Sequence, residues 1–127
     1  MPTDYSNPNY APHLALGQLG EELAGNWLVR NGYRLLERNW RSRHHQEIDL
    51  IAFRDNRLHC VEVKTRSHQG AFDPRYAIDH DKLLALARAM NLYKQQKRLD
   101  FNVTYDAIII FLRSEDDYDL QFIPDIQ

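Results

Sequence analysis

Three side chains in this sequence have the types and spacing for phosphate chemistry: Asp49, Glu62 and Lys64. Asp49 interrupts the apolar run Ile48-Asp49-Leu50-Ile51, and Glu62 interrupts Val61-Glu62-Val63. Both acids therefore fall inside strand-like segments that burial would otherwise keep apolar. Between the runs, Arg54-Asp55-Asn56-Arg57 suits a two-residue hairpin loop whose central residues both take positive φ. That loop opposes Phe53 to Leu58, Ile51 to Cys60, Asp49 to Glu62 and Glu47 to Lys64, all on one face of the ribbon. The other face carries Ile48, Leu50 and Ala52 against His59, Val61 and Val63. Directly opposed carboxylates have Cβ atoms about 5 Å apart and repel. A hard divalent cation between them reverses the sign, and Mg2+ is usually held by one or two carboxylates plus waters and phosphate oxygens. Lys64 projects to the same face, where an ammonium can orient or deprotonate a water or offset phosphate charge. The bland alternative is a charge cluster at a sheet rim, although such a rim has no need of two facing acids.

The elements that position these groups follow from periodicity and punctuation. Residues 1–11 read as a loose leader, and 12–127 as a single domain. A helix is expected from about Pro12 to Asn31, because Leu16, Leu19, Gly20, Leu23, Ala24, Trp27 and Leu28 recur at helical spacing and Gly32 is a stop. On that helix Glu21 sits at the border of the buried face beside Gly17, where small residues let an acid lean over a sheet edge. An ordinary boundary glutamate is the alternative reading. "YRLLERNW" reads as a short strand, the hairpin follows, and "SHQGAFDPRY" is a loop. A second helix runs from the N-cap Asp79 to about Arg98, with Leu83, Leu86, Ala87, Met90 and Tyr93 as its buried stripe. "FNVTYDAIIIFL" is a strand buried on both faces, and "DLQFIP" is the last strand. The order α-β-β-β-α-β-β predicts an α/β fold: a mixed central sheet flanked by helices, the second helix crossing over between parallel strands.

Together these residues carry a resemblance. An acid in one strand followed by Glu-x-Lys in the next resembles the PD-(D/E)XK superfamily, the restriction-endonuclease-like fold. More closely, "GQLGEELA", "EIDLIA" and "VEVKTR" in this order resemble the YraN-like family of uncharacterised bacterial proteins, related to Holliday junction resolvases. The resemblance runs from about Leu16 to Leu112. It implies that Asp49 and Glu62 are metal ligands and Lys64 the catalytic lysine. The Val63 carbonyl would be a further ligand, and Glu21 the helical acid that completes the site. It also implies Mg2+ or Mn2+ as cofactor and an endonuclease activity on DNA more than RNA, with branched or junction DNA as the substrate form. Ile48 stands where the superfamily has a proline, and Gln46 where a small glycine usually precedes Glu-Ile-Asp.

Bulk properties bound the reading. The net charge of −2 excludes a broadly basic nucleic-acid coat, yet the charge is segregated. Residues 30–45 hold five arginines against one glutamate, a local +4, and residues 114–127 hold five acids and no base. Arg41, Arg43, His45 and Arg66 are the expected backbone-phosphate contacts. Lys82, near the start of the second helix, is another, with a plain solvated lysine equally open. Glu47 is a ligand, a positioning partner or half of an ion pair with Lys64. His44 and His45 lack the spacing of a transition-metal site. Asp106 reads as a structural strand-end acid, and Cys60 and His59 as strand packing. One cysteine gives no disulfide framework, and there is neither a signal peptide nor a membrane span of about 18 apolar residues. A cytoplasmic protein without membrane partners is expected, with a homodimer as the form that would cut both strands. The competing class is a non-catalytic nucleic-acid-binding or assembly module that keeps the nuclease fold.

Overall fold

The computed structural model describes residues 13–67 and 78–126. The expected leader, most of the Gly70/Pro74 loop and Gln127 lie outside them. The order is α1 (His13–Arg30), β1 (Arg34–Trp40), β2 (Ile48–Arg54), β3 (Arg57–Arg66), α2 (His80–Lys97), β4 (Asn102–Ser114) and β5 (Asp117–Ile123). Five strands form one sheet in sequence order, antiparallel throughout except for the parallel β3–β4 pair that α2 bridges. This is the mixed α/β architecture expected, compatible with a restriction-endonuclease-like fold.

Local chemistry explains the boundaries. α1 ends where Gly32 takes φ 87°, with its N–H on the Val29 carbonyl and that of Tyr33 on the Leu28 carbonyl at 2.9 Å. That pair of bonds closes the last turn around a left-handed residue. α2 starts at Asp79, whose carboxylate accepts the Lys82 N–H at 2.8 Å, and closes at Arg98 in the left-handed region. Asp55 and Asn56 have φ of 53° and 61°, as the hairpin requires.

Two cores sandwich the sheet. Ala24 and Leu28 of α1 pack on Leu50, Ala52, Val61, Ile108, Ile110 and Leu112. On the other face Leu86, Ala89, Met90 and Tyr93 of α2 pack on Ile51, Leu58 and Cys60. The α2 stripe is rotated slightly from expectation: Ala89 is fully buried, whereas Leu83 and Ala87 are half-buried. Helix α1 sits close to β3 at Gly20, where any Cβ would overlap the Thr65 side chain. Glycine is required there for contact rather than for a backbone angle. Among the described residues, no helix is long and apolar enough to cross a membrane.

Candidate functional site

The hairpin register holds as far as Leu50↔Val61, through Phe53↔Leu58, Ile51↔Cys60 and Ala52↔His59. There the β2–β3 ladder ends, one residue short of Asp49 and Glu62. Ile48 departs from strict alternation and packs in the α2-side cluster, not with Leu50 and Ala52 as expected, because no β3 partner holds it in register. The Asp49 side chain takes over from the missing main-chain bonds, its Oδ2 accepting the Val63 N–H at 2.9 Å. In an extended strand the N–H and C=O of one residue project to the same flank. The Val63 carbonyl therefore also faces the gap where β2 has peeled away.

Asp49 and Glu62 line one cleft of about 410 Å3 with Glu21 and Gly17 of α1, Asn39 of β1, Gln46 and Glu47 of the β1–β2 connection, and Lys82 of α2. The helical-wheel placement of Glu21 beside Gly17 is thus met in space. Glu62 is nearly fully buried. Its Oε1 meets two ammonium groups, Lys82 Nζ at 3.3 Å and Lys64 Nζ at 3.7 Å. Its Oε2 is buried with no hydrogen-bond partner among the described residues. Of the readings open for Glu47, the ion pair with Lys64 is not formed among the described residues: Lys64 lies 3.7 Å from Glu62 Oε1, and Glu47 lines the cleft.

Asp49 has no cation partner among the described residues. Burial, then the charge of Glu62, pushes its carboxyl far above the usual carboxylate range. The N–H of Val63 opposes that shift without cancelling it. A proton on Asp49 would let the two carboxyls share a hydrogen bond, the one internal route to satisfying the pair. Glu21 is raised as well, mainly by burial, with Glu47 and Glu62 adding to it and the Asn39 side chain opposing it. Asp49 and Glu21 thus sit where desolvation disfavours their charge, beside the buried Glu62, and the described residues form no closed set of three His, Cys, Asp or Glu ligands around one point. A cation held here would complete its shell with waters and phosphate oxygens, the habit of Mg2+.

The remaining expected residues fall around this cleft. Arg41 and Arg43 are exposed and His45 half-buried on the connection between Asn39 and Gln46, two residues that line the cleft; none of the three lines it. Arg66 is exposed at the end of β3 and donates to the Thr65 carbonyl. Lys82, expected near the start of the second helix as a phosphate contact or a solvated lysine, is a wall of the cleft and the nearer of the two described cations on Glu62. One feature escaped the sequence. Asn39 sits in the left-handed region at φ 51° and braces Glu21; an asparagine near a strand end was its one visible signal. Asp106 is structural as expected, fully buried, accepting from Asp125 N–H at 2.9 Å and paired with His59 Nδ1 at 2.7 Å. Cys60 is buried in the α2-side core, where burial raises its thiol.

A family model described as "Uncharacterised protein family UPF0102" matches residues 20–110. A UPF0102 protein of Flavobacterium johnsoniae is 38% identical over 109 residues, covering 83% of this chain and 88% of the relative. One from Bacteroides thetaiotaomicron is 38% identical over 100 residues, 79% and 82% of the two chains. One from Parabacteroides distasonis is 34% identical over 110 residues, 87% and 89%.

Proposed function

The chain belongs to the UPF0102 family, and from that premise we propose that it is a metal-dependent nuclease hydrolysing phosphodiester bonds in DNA. One observation carries the reading: Glu62 Oε2 is buried without a partner in the same cleft as a second acid that has no cation. Burying such groups costs folding free energy that the lysines on Glu62 Oε1 and the Val63 N–H on Asp49 offset only in part. A divalent cation bearing phosphate would serve both the stranded Oε2 of Glu62 and the carboxylate of Asp49, so the residues fit the group. Asp49 and Glu62 would hold Mg2+ or Mn2+, with the Val63 carbonyl and Glu21 as further ligands. When bound, the cation supplies charge that acidifies water and offsets the negative charge growing on the phosphate.

The chain's own groups do the rest. Lys64, beside Glu62, positions the attacking water. Lys82 leaves Glu62 for a phosphate oxygen once the acids have another counter-charge. Arg41, Arg43, His45 and Arg66 hold the flanking backbone, which gives affinity without sequence information. Branched or otherwise irregular DNA is the substrate form in this reading, a homodimer the form that cuts both strands, and the cytoplasm the compartment.

The test is cleavage of labelled linear, flapped and four-way DNA with Mn2+. Metal-dependent cutting that disappears in Glu62→Gln supports the nuclease. DNA retained but never cut, with any divalent metal, overturns it in favour of a binding or assembly module.

A further inference from the structure

A second cleft, of about 420 Å3, adjoins the acid cleft and shares Gln18, Glu21 and Asn39 with it. Its other walls are Glu22, Asn26 and Arg38. Arg38 is exposed on the edge strand β1, yet its guanidinium is seated. A Cβ on Gly25 would lie 2.6 Å from Nη2 and 2.7 Å from Nη1, so the fork rests flat against the bare backbone of α1. Nη1 also reaches the Glu21 carbonyl at 3.4 Å, too long to consume the donor fully. An exposed arginine ordinarily gives up rotamer freedom when it grips a ligand; one already laid in a glycine notch has less to lose. Beside it, Asn39 is turned into the junction of the two clefts by its left-handed backbone.

We propose that this second cleft is a subsite for one unpaired nucleotide next to the scissile phosphate, with Arg38 contacting that nucleotide's phosphate. The proposal rests on the nuclease reading and specifies its substrate class. A volume of this size is that of a small-molecule site, about 300–1,000 Å3. The carboxamides of Gln18, Asn26 and Asn39 offer paired donors and acceptors of the kind that match base edges. A base inside a duplex has its pairing edge occupied and stacked, whereas an unpaired one can swing into a lateral cleft. Glu21 and Glu22 repel phosphate from the α1 wall. Arg38 is the one cation among the described lining residues, partly offset by Glu21, and the face of its fork turned away from Gly25 is the phosphate's place. Sharing Glu21 and Asn39 puts the subsite one step along the chain from Asp49 and Glu62.

The test compares binding, in EDTA, of a labelled duplex with an unpaired nucleotide at a flap base and the same duplex fully paired. Wild type is expected to favour the flapped form about tenfold, and Arg38→Ala to lose that preference and about one unit of salt slope. Gly25→Ala keeps the arginine but fills its seat, and should reproduce the loss of preference with the salt slope retained. Arg38→Lys keeps the charge without the fork and should fall between; it carries the test if Gly25→Ala does not fold in a thermal melt. Equal weakening of both DNAs by Arg38→Ala, or wild-type preference in both Gly25→Ala and Arg38→Lys, overturns the subsite. An intact flap preference without metal-dependent cutting overturns the nuclease reading alone. No DNA binding in either form, in EDTA and equally with Ca2+ present, overturns both.

Discussion

Replacing Asp49 by asparagine should make the metal-free protein more stable, and more so at higher pH. The two acids of the cleft are not equivalent: Glu62 has two lysines on one oxygen, whereas Asp49 has the Val63 N–H and no cation. Asparagine keeps an oxygen for that N–H and removes the charge. Two unit charges about 5 Å apart interact by roughly 3 kcal/mol at an effective dielectric constant near 20. Proton sharing relieves part of this while the desolvation of Asp49 adds to it, so a gain of at least about 2 kcal/mol at pH 8 is expected, or at least roughly 6 °C in Tm at this chain length. The pH dependence fixes the mechanism. The Asp49 carboxyl is raised from its ordinary value of 3.8 to about 8, so between the two values the folded protein holds more protons than the unfolded chain. Stability then falls as pH rises through that window. The Asp49→Asn variant has no carboxyl to titrate at this position, so the two proteins should converge near pH 4 and separate progressively toward pH 8. Urea unfolding in EDTA across that range measures it. Mg2+ or Mn2+ should stabilise wild type and leave Asp49→Asn nearly unchanged. A variant less stable than wild type at pH 8, or a gain that does not vary with pH, would refute the reasoning.

Three further outcomes follow from the same geometry. Lys82→Ala removes a cation that competes for Glu62, so Mn2+ should bind about three- to tenfold more tightly by calorimetry while cleavage slows; unchanged affinity would mean Lys82 is not a competitor. Gly20→Ala should cost about 1–3 kcal/mol in urea unfolding, because Thr65 is branched next to the backbone and cannot withdraw. A double-mutant cycle with Thr65→Gly should recover much of that cost. Arg41→Ala with Arg43→Ala should weaken DNA binding at low salt and reduce the salt slope by up to about two, read by anisotropy.

What was legible in the sequence was what local rules govern. Asp55-Asn56 specifies the turn, the turn sets the register, and the register places Asp49 opposite Glu62. Helical spacing put Glu21 beside Gly17 on the border of α1, and the family resemblance over Leu16 to Leu112 agrees with the UPF0102 match. The misses are all tertiary. The end of the β2–β3 ladder at Leu50 turned Ile48 to the other face and gave Asp49 a main-chain bond to close. Lys82 enters the cleft because α2 crosses over between β3 and β4, a placement that periodicity along α2 does not reveal. The notch that seats Arg38 needs the α1–β1 approach, and a helical glycine alone gives no sign of it. Glu62, expected to face Asp49 in repulsion with Lys64 on the same face, is compensated on one oxygen by Lys64 and Lys82 and stranded on the other among the described residues.

The parallel pairing of β3 with β4 imposes an order of assembly. The β2–β3 hairpin closes over a two-residue loop, and hairpins form in about 1–10 μs. β4 is 45 residues from its β3 partners, as in His59↔Thr104, and cannot dock until α2 has crossed over. Asp49 and Glu62 are therefore brought together early, while Lys82 arrives only with α2. Until then Lys64, on the same strand as Glu62, is the counter-charge at hand and Asp49 has none among the described residues, so the site slows folding as well as making the native well shallower. Removing the Asp49 charge should steepen neither arm of the chevron plot but lift its folding arm, because the repulsion is already present in the transition state.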